Sequence, residues 1–185
     1  MEPLKQIKKI VIIGPESTGK STLSAQLAAH FRTEWVREYA REYLEQNGTA
    51  YHFEDLYAIA MGQIDLEEKM AARVSAENNS GNPPFLFIDT DLCVIKIWSE
   101  FVFNKCDNRI LTAISKRKYD LYLLCDTDLP WVADQLREYP ELAVRKKLFH
   151  YYKEEMTEQK VPWVIIRGSY EERLRTAITE CMKLL

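Results

Sequence analysis

The sequence has no apolar run approaching the ~20 residues that a membrane span needs, and its opening stretch, MEPLKQIKK, has no hydrophobic signal core. A membrane-embedded or exported protein is not expected, and a cytoplasmic one is. No excess of basic charge is present either, since 25 Lys and Arg stand against 28 Asp and Glu for a formal net charge of −3. Bulk attraction to nucleic acid or to an anionic membrane therefore cannot organise binding, and neither is expected as a partner. The four cysteines, Cys93, Cys106, Cys125 and Cys181, form no CxxC pair, which removes the common zinc and redox spacings and suits a reducing compartment. Internal repeats and low-complexity tracts are also missing. What remains is an ordinary globular composition, 46% hydrophobic and 29% charged. A chain of 185 residues is long enough for one domain that buries roughly 70% of its unfolded surface.

Four short apolar runs read as buried parallel strands, at Ile10 to Ile13, Pro84 to Asp89, Tyr119 to Cys125 and Pro162 to Arg167. A weaker fifth spans Glu34 to Glu38. Helical patterns lie at Lys20 to Phe31, Phe53 to Ala76, Leu92 to Phe103, Asn108 to Arg117, Leu142 to Gln159 and Tyr170 to Lys183. Strand and helix alternate, which predicts an α/β fold of three layers. Two loops stand out: NNSGNPP at 78 to 84, a plain connector, and DTDLPWVADQLREYPE at 126 to 141, long enough to be a lid.

The stretch GPESTGKS matches GxxxxGK[ST] at Gly14, Gly19, Lys20 and Ser21, with a strand before it and a helix after it. The glycines let successive peptide N–H groups turn inward, and the helix adds the positive end of its dipole. Lys20 is placed to reach the β- and γ-phosphates of a nucleotide, and the Ser21 hydroxyl to coordinate Mg²⁺. Hydrolysis, switching and transfer all use such a loop, so the turn does not name the reaction.

A second metal contribution is expected from an acid at the end of a neighbouring strand, and FLFIDTD supplies Asp89 there. Asp91 either faces the same side or caps the helix that begins at Leu92. In EWVREYAREY the weak strand delivers Arg37, Glu38 and Arg41 toward the mouth of the phosphate site. Their plain alternative, a charged helix start, pairs Arg37 with Arg41 and Glu38 with Glu42, both repulsive. If a small alcohol binds here, Glu38 is positioned to accept its proton. Arg137 and Arg145 flank EYPELAV and are candidates to fold over a transferring phosphate, the alternative being solvated arginines. Trp131 reads as a lid hydrophobe or as an aromatic that stacks on a base.

Taken together, IVIIGPESTGKSTL, WVREYAREYL, FIDTDL and DTDLPWVADQLREYPELAVR resemble, in order and spacing, the ribosylnicotinamide kinase domain of NadR-type proteins. The resemblance runs from about Lys8 to Leu185. It implies a single P-loop kinase domain over 1–185, with a five-stranded parallel sheet in order 2-3-1-4-5, helices on both faces and a lid at about 126–145. It also implies transfer of the γ-phosphoryl group of ATP, with Mg²⁺, to the 5′-hydroxyl of nicotinamide riboside, giving nicotinamide mononucleotide for NAD synthesis. By the same resemblance Gly14, Glu16, Ser17, Thr18, Gly19, Lys20, Ser21 and Thr22 bind ATP, and Gly168 lets the adenine approach the backbone. Glu38, Tyr39, Arg41, Asp91 and Trp131 fall on the acceptor side, Ser21 and Asp89 hold the metal, and Arg137 and Arg145 belong to the lid. Lys20, Glu38, Asp89 and Arg137 are the catalytic candidates. Multifunctional members carry an adenylyltransferase domain upstream, and the short stretch before the first strand has no HxGH-type motif. If these residues are the whole protein, adenylylation is left to another enzyme. Two alternatives stay open: a kinase of another nucleoside or nucleoside monophosphate, and a nucleotide-sensing regulatory module.

Overall fold

The computed structural model describes residues 7–77 and 84–185. The turn-former stretch at 78 to 83 and the first six residues, on which two of the readings above fall, lie outside the described residues. Five strands, β1 (Lys8–Ile13), β2 (Trp35–Val36), β3 (Phe85–Asp89), β4 (Leu121–Cys125) and β5 (Trp163–Ile166), form one sheet in the order β2-β3-β1-β4-β5, with every pair parallel. That is the order expected. Seven helices connect them among the described residues: α1 (Lys20–Phe31), α2 (Tyr39–Asn47), α3 (Asp55–Glu77), α4 (Leu92–Phe103), α5 (Asn108–Lys116), α6 (Leu142–Glu158) and α7 (Tyr170–Met182).

Side chains that alternate along β1 separate two cores. Ile10 and Ile12 pack with Phe87 and Leu123 under α1 and α7, through Leu27, Ala177 and Cys181. Val11 and Ile13 pack with Ile88 and Leu124 under α3, α4 and α6, through Val74, Ile97, Leu148 and Met156. Strands β3 and β4 are buried along their whole length, as expected for a parallel sheet covered on both faces. Cys93, Cys125 and Cys181 are buried free thiols.

Register places the functional end. Ile12 lies opposite Asp89, and Ile13 opposite Leu124, so the chain leaves β1 at Gly14 between the last residues of β3 and β4. Gly14 has φ +139°, and a Cβ there would stand 2.6 Å from the Cys125 carbonyl oxygen. Only glycine permits that approach.

One element departs from expectation. The segment after β2 is helical: Glu38 is the N-cap of α2, so Arg37 lies outside the helix and its repulsion with Arg41 does not arise. Arg37 instead sits 5.6 Å over the Trp35 ring, and Arg41 pairs with Asp134 at 3.2 Å. Gln63 of α3 fixes this start from below, accepting the Tyr39 N–H at 2.7 Å and donating to the Arg37 carbonyl at 3.2 Å.

The Tyr39 ring lies flat against Gly62, where a Cβ would overlap it. Gly62→Ala is expected to displace Tyr39 and to lower stability by about 1–3 kcal/mol, measurable by urea denaturation.

Candidate active site

Residues Gly14 to Thr22 form the floor of a cavity of about 190 Å³. The loop is held open from within and from behind. Thr18 Oγ1 donates to the Pro15 carbonyl at 2.7 Å, and Lys20 Nζ to the same oxygen at 3.0 Å. Behind the loop, the buried Arg173 of α7 donates to the carbonyls of Thr18 at 2.9 Å, Gly168 at 2.9 Å and Asp126 at 3.0 Å, and pairs with Asp128. With the Thr18 carbonyl drawn back to Arg173, the loop leads into the N-terminus of α1 beside the cavity, the arrangement that binds phosphate.

Asp89, at the end of β3, meets this loop directly. Ser21 Oγ donates to Asp89 Oδ2 at 2.5 Å, while Oδ1 is buried without a hydrogen-bond partner. Burial, and next the charge of Glu38, push the carboxyl up to about 7, against the opposing pull of Lys20 and Ser21. Among the described residues no group of three His, Cys, Asp or Glu side chains gathers to hold a metal on its own. Mg²⁺ needs no such group, because it binds through one or two oxygen ligands together with nucleotide phosphates. The orphaned Oδ1 beside a hydroxyl fits that pattern.

Glu38 lines the same cavity as Lys20 and accepts a hydrogen bond from Thr90 Oγ1 at 3.3 Å. Beyond it the wall becomes aromatic. Tyr51, Trp98 and Tyr152 line it with Leu56 and Ile59, and Trp98 Nε1 donates to the Tyr51 hydroxyl at 2.7 Å. Burial, and next the charge of nearby Glu138, push the Tyr51 hydroxyl well up. One cavity thus joins the phosphate loop to an aromatic lining, here called the box, and to two carboxylates, Glu38 and Glu138.

The roof is the loop between β4 and α6, residues 126–141. Glu16 accepts the N–H groups of Glu138 at 3.1 Å and Tyr139 at 3.2 Å, and Ser17 Oγ accepts the Val132 N–H at 2.9 Å. Arg137 lines the cavity and donates to the Val132 carbonyl.

Eleven of the residues singled out from the sequence line this cavity: Gly14, Glu16 to Thr22, Glu38, Arg41 and Arg137. Asp89 touches it through Ser21. The others sit elsewhere. Asp91 caps α4, its Oδ1 accepting the Cys93 N–H at 3.0 Å and its Oδ2 the hydroxyl of Tyr122 in β4 at 2.8 Å, so both oxygens are engaged within the fold. Tyr39 faces Gly62. Trp131 packs against guanidinium groups, 5.9 Å from Arg137 and 5.4 Å from Arg145. Arg145 is in the first turn of α6 rather than in the loop, 4% exposed, with Nε and Nη1 unpartnered. Gly168 has φ +93° and gives its N–H to Asp128 at 2.6 Å. The aromatic box was missed, because Tyr51, Trp98 and Tyr152 lie in stretches that read as ordinary packing; Gln63 gave no signal.

The folded protein keeps Asp89 protonated up to about 7, whereas the unfolded chain releases that proton near 3.8. This group therefore withdraws stability as pH rises across that window, and no more above it. Asp89→Asn is expected to raise the melting temperature of the metal-free protein more at about pH 8 than at about pH 5, as read by thermal denaturation.

Comparison with known proteins agrees with this architecture. The chain is 28% identical over 186 residues to the trifunctional NAD biosynthesis/regulator protein NadR of Escherichia coli (strain K12), covering 97% of this chain and 42% of that protein. A crystal structure of NadR protein in complex with NR superposes with a TM-score of 0.78 at 23% identity, over 95% of this chain and 49% of that one. A second, in complex with NAD and AMP-PNP, gives a TM-score of 0.72 at 24% identity, over the same shares. The chain spans about half or less of the length of these relatives. The AAA domain family AAA_28 matches residues 9–173, from β1 through the cradle and Asp89 to the arginine behind the loop, and the chain belongs to that family.

Proposed function

We propose that the protein is an ATP-dependent kinase of a small nucleoside, and that its acceptor is the 5′-hydroxyl of nicotinamide riboside, a step of NAD synthesis. The observation that carries this reading is the continuity of the cradle with the box of Tyr51, Trp98 and Tyr152. Nicotinamide riboside carries a positively charged pyridinium ring, and aromatic faces attract such a ring by cation–π interaction. Glu38 and Glu138 line the same cavity and add negative charge to it. A nucleoside monophosphate would bring an anion instead, and the arginine nearest the acceptor side, Arg41, is already paired with Asp134. The NadR relatives, one bound to NR and one to NAD and AMP-PNP, support the same choice.

In this reading the cradle amides and Lys20 hold the β- and γ-phosphates of ATP, and Ser21 and Asp89 are the oxygen donors for Mg²⁺. When bound, that ion draws charge from the phosphate oxygens. Glu38 accepts the hydrogen bond, and then the proton, of the attacking hydroxyl. Arg137 lies over the transferring group, and Arg145 below the lid has two buried nitrogens that no protein oxygen satisfies. A guanidinium in that state is costly unless an anion comes near. The transition state is loose, so most of the rate comes from positioning and from charge.

We further read residues 1–185 as one kinase domain whose lid is the 126–141 loop, with Arg145 its hinge-side support. No helix among the described residues is long and apolar enough to cross a membrane. The unpaired thiols suit the cytoplasm, where we place the protein.

Nicotinamide riboside is expected to drive ATP consumption well above other nucleosides and monophosphates in a coupled ADP-release assay; faster turnover with thymidine or a monophosphate would reassign the acceptor. Lys20→Ala should reduce transfer by about a thousandfold or more. Asp89→Asn should lower kcat about a hundredfold while shifting nucleotide affinity far less, as titration with an ATP analogue would measure. Trp98→Ala should raise the KM for the riboside about tenfold and leave the KM for ATP nearly unchanged.

A further inference from the structure

The phosphate loop contains an acid that phosphate binding does not explain. Glu16 is the second of the four variable residues between Gly14 and Gly19, and a carboxylate there opposes any polyphosphate laid in the cradle. Its oxygens are engaged by the roof instead. Oε2 accepts the peptide N–H groups of both Glu138 and Tyr139, at 3.1 and 3.2 Å, and Oε1 lies 3.3 Å from the first of these. The same two lid residues are gripped from the acceptor side. The Glu138 side chain lies near enough to the Tyr51 hydroxyl for its charge to act there, after burial, against ionisation, and the Tyr139 ring stands edge-on to Trp98 at 5.5 Å and to Phe101 at 5.3 Å. One dipeptide of the roof is therefore fixed by the donor loop through its backbone and by the acceptor wall through its side chains.

We infer that Glu16 is a positioning residue, one that holds Glu138 and Tyr139 down across the junction of cradle and box and so directs the γ-phosphoryl group to the acceptor hydroxyl rather than to water. The inference rests on the kinase reading above. Water is the standing competitor in such a site: its oxygen attacks the γ-phosphorus, the bond to the ADP oxygen breaks, and inorganic phosphate, ADP and a proton leave. Closure of the roof excludes that water. A carboxylate makes an effective latch here, because bonds from peptide N–H groups to an ionised acceptor are stronger than neutral ones. Ser17 adds one further contact of the same kind through Val132, and Glu16 supplies the pair nearest the box.

The test compares wild type with Glu16→Ala and Glu16→Gln. With nicotinamide riboside present, Glu16→Ala is expected to lower the ratio of mononucleotide formed to phosphate released by about tenfold or more. An unchanged ratio accompanied by a higher KM for ATP would overturn the inference and return Glu16 to nucleotide binding. A second readout does not depend on the acceptor. With a non-hydrolysable ATP analogue bound, amide hydrogen exchange at Glu138 and Tyr139 should quicken about tenfold or more in Glu16→Ala. In Glu16→Gln, which keeps an acceptor oxygen, protection should be largely retained, and the core amides of β1 and β3 serve as the folding control. Equal protection in wild type and Glu16→Ala, or equal loss in both variants, would refute the latch. If wild type phosphorylates no riboside, the choice of acceptor fails while the exchange measurement still decides the role of Glu16.

Discussion

The hydrogen bond between Ser21 and Asp89 is the contact around which this molecule is arranged. It ties the first turn of α1 to the last residue of β3, two segments 68 residues apart that become neighbours because β1 and β3 run parallel with Ile12 opposite Asp89. A parallel sheet delivers all its strand ends to one edge, and helices that start there point their positive ends the same way. That field favours a carboxylate, but burial and the charge of Glu38 outweigh it, so the group is half-satisfied and reluctant to ionise. Such a group is a burden on the bare fold and an asset to a cation. The tension between those two roles marks the site more clearly than any motif does.

From that point the cavity changes character over a short distance. Its floor is built of backbone dipoles and one lysine, suited to an anion, whereas its far wall is built of aromatic faces and carboxylates, suited to a ring that lacks electrons. Nothing in the floor selects an acceptor, and nothing in the far wall binds phosphate.

Legibility in the sequence followed the same division. The loop GPESTGKS and the acid of FIDTD could be read because they are local patterns with one physical meaning, and the parallel sheet because β3 and β4 are unbroken apolar runs. Helix α2 was obscured by counting Arg37 and Glu38 inside a helix that begins only at Tyr39, so a repulsion was charged to it that the structure never contains. Asp91 carried two meanings in the sequence, and the Cys93 and Val94 N–H groups it accepts show the capping one. Trp98, Tyr51 and Tyr152 come from three separate segments, each of which looks like packing until the fold brings them to one wall. Arg145 falls in α6, within the helical pattern read from Leu142 to Gln159, but its burial against Trp131 is set by the fold and could not be read from that pattern.

The arginine behind the phosphate loop has a consequence of a different kind. Arg173 grips the Thr18 carbonyl across 155 residues of chain, so the first helix-forming turn of the sequence is completed by the last helix. Contacts of such long span close late in folding, after local structure has formed, because the entropy of the intervening chain has to be overcome first. The loop near the beginning of the chain thus takes part of its support from α7, 155 residues further on.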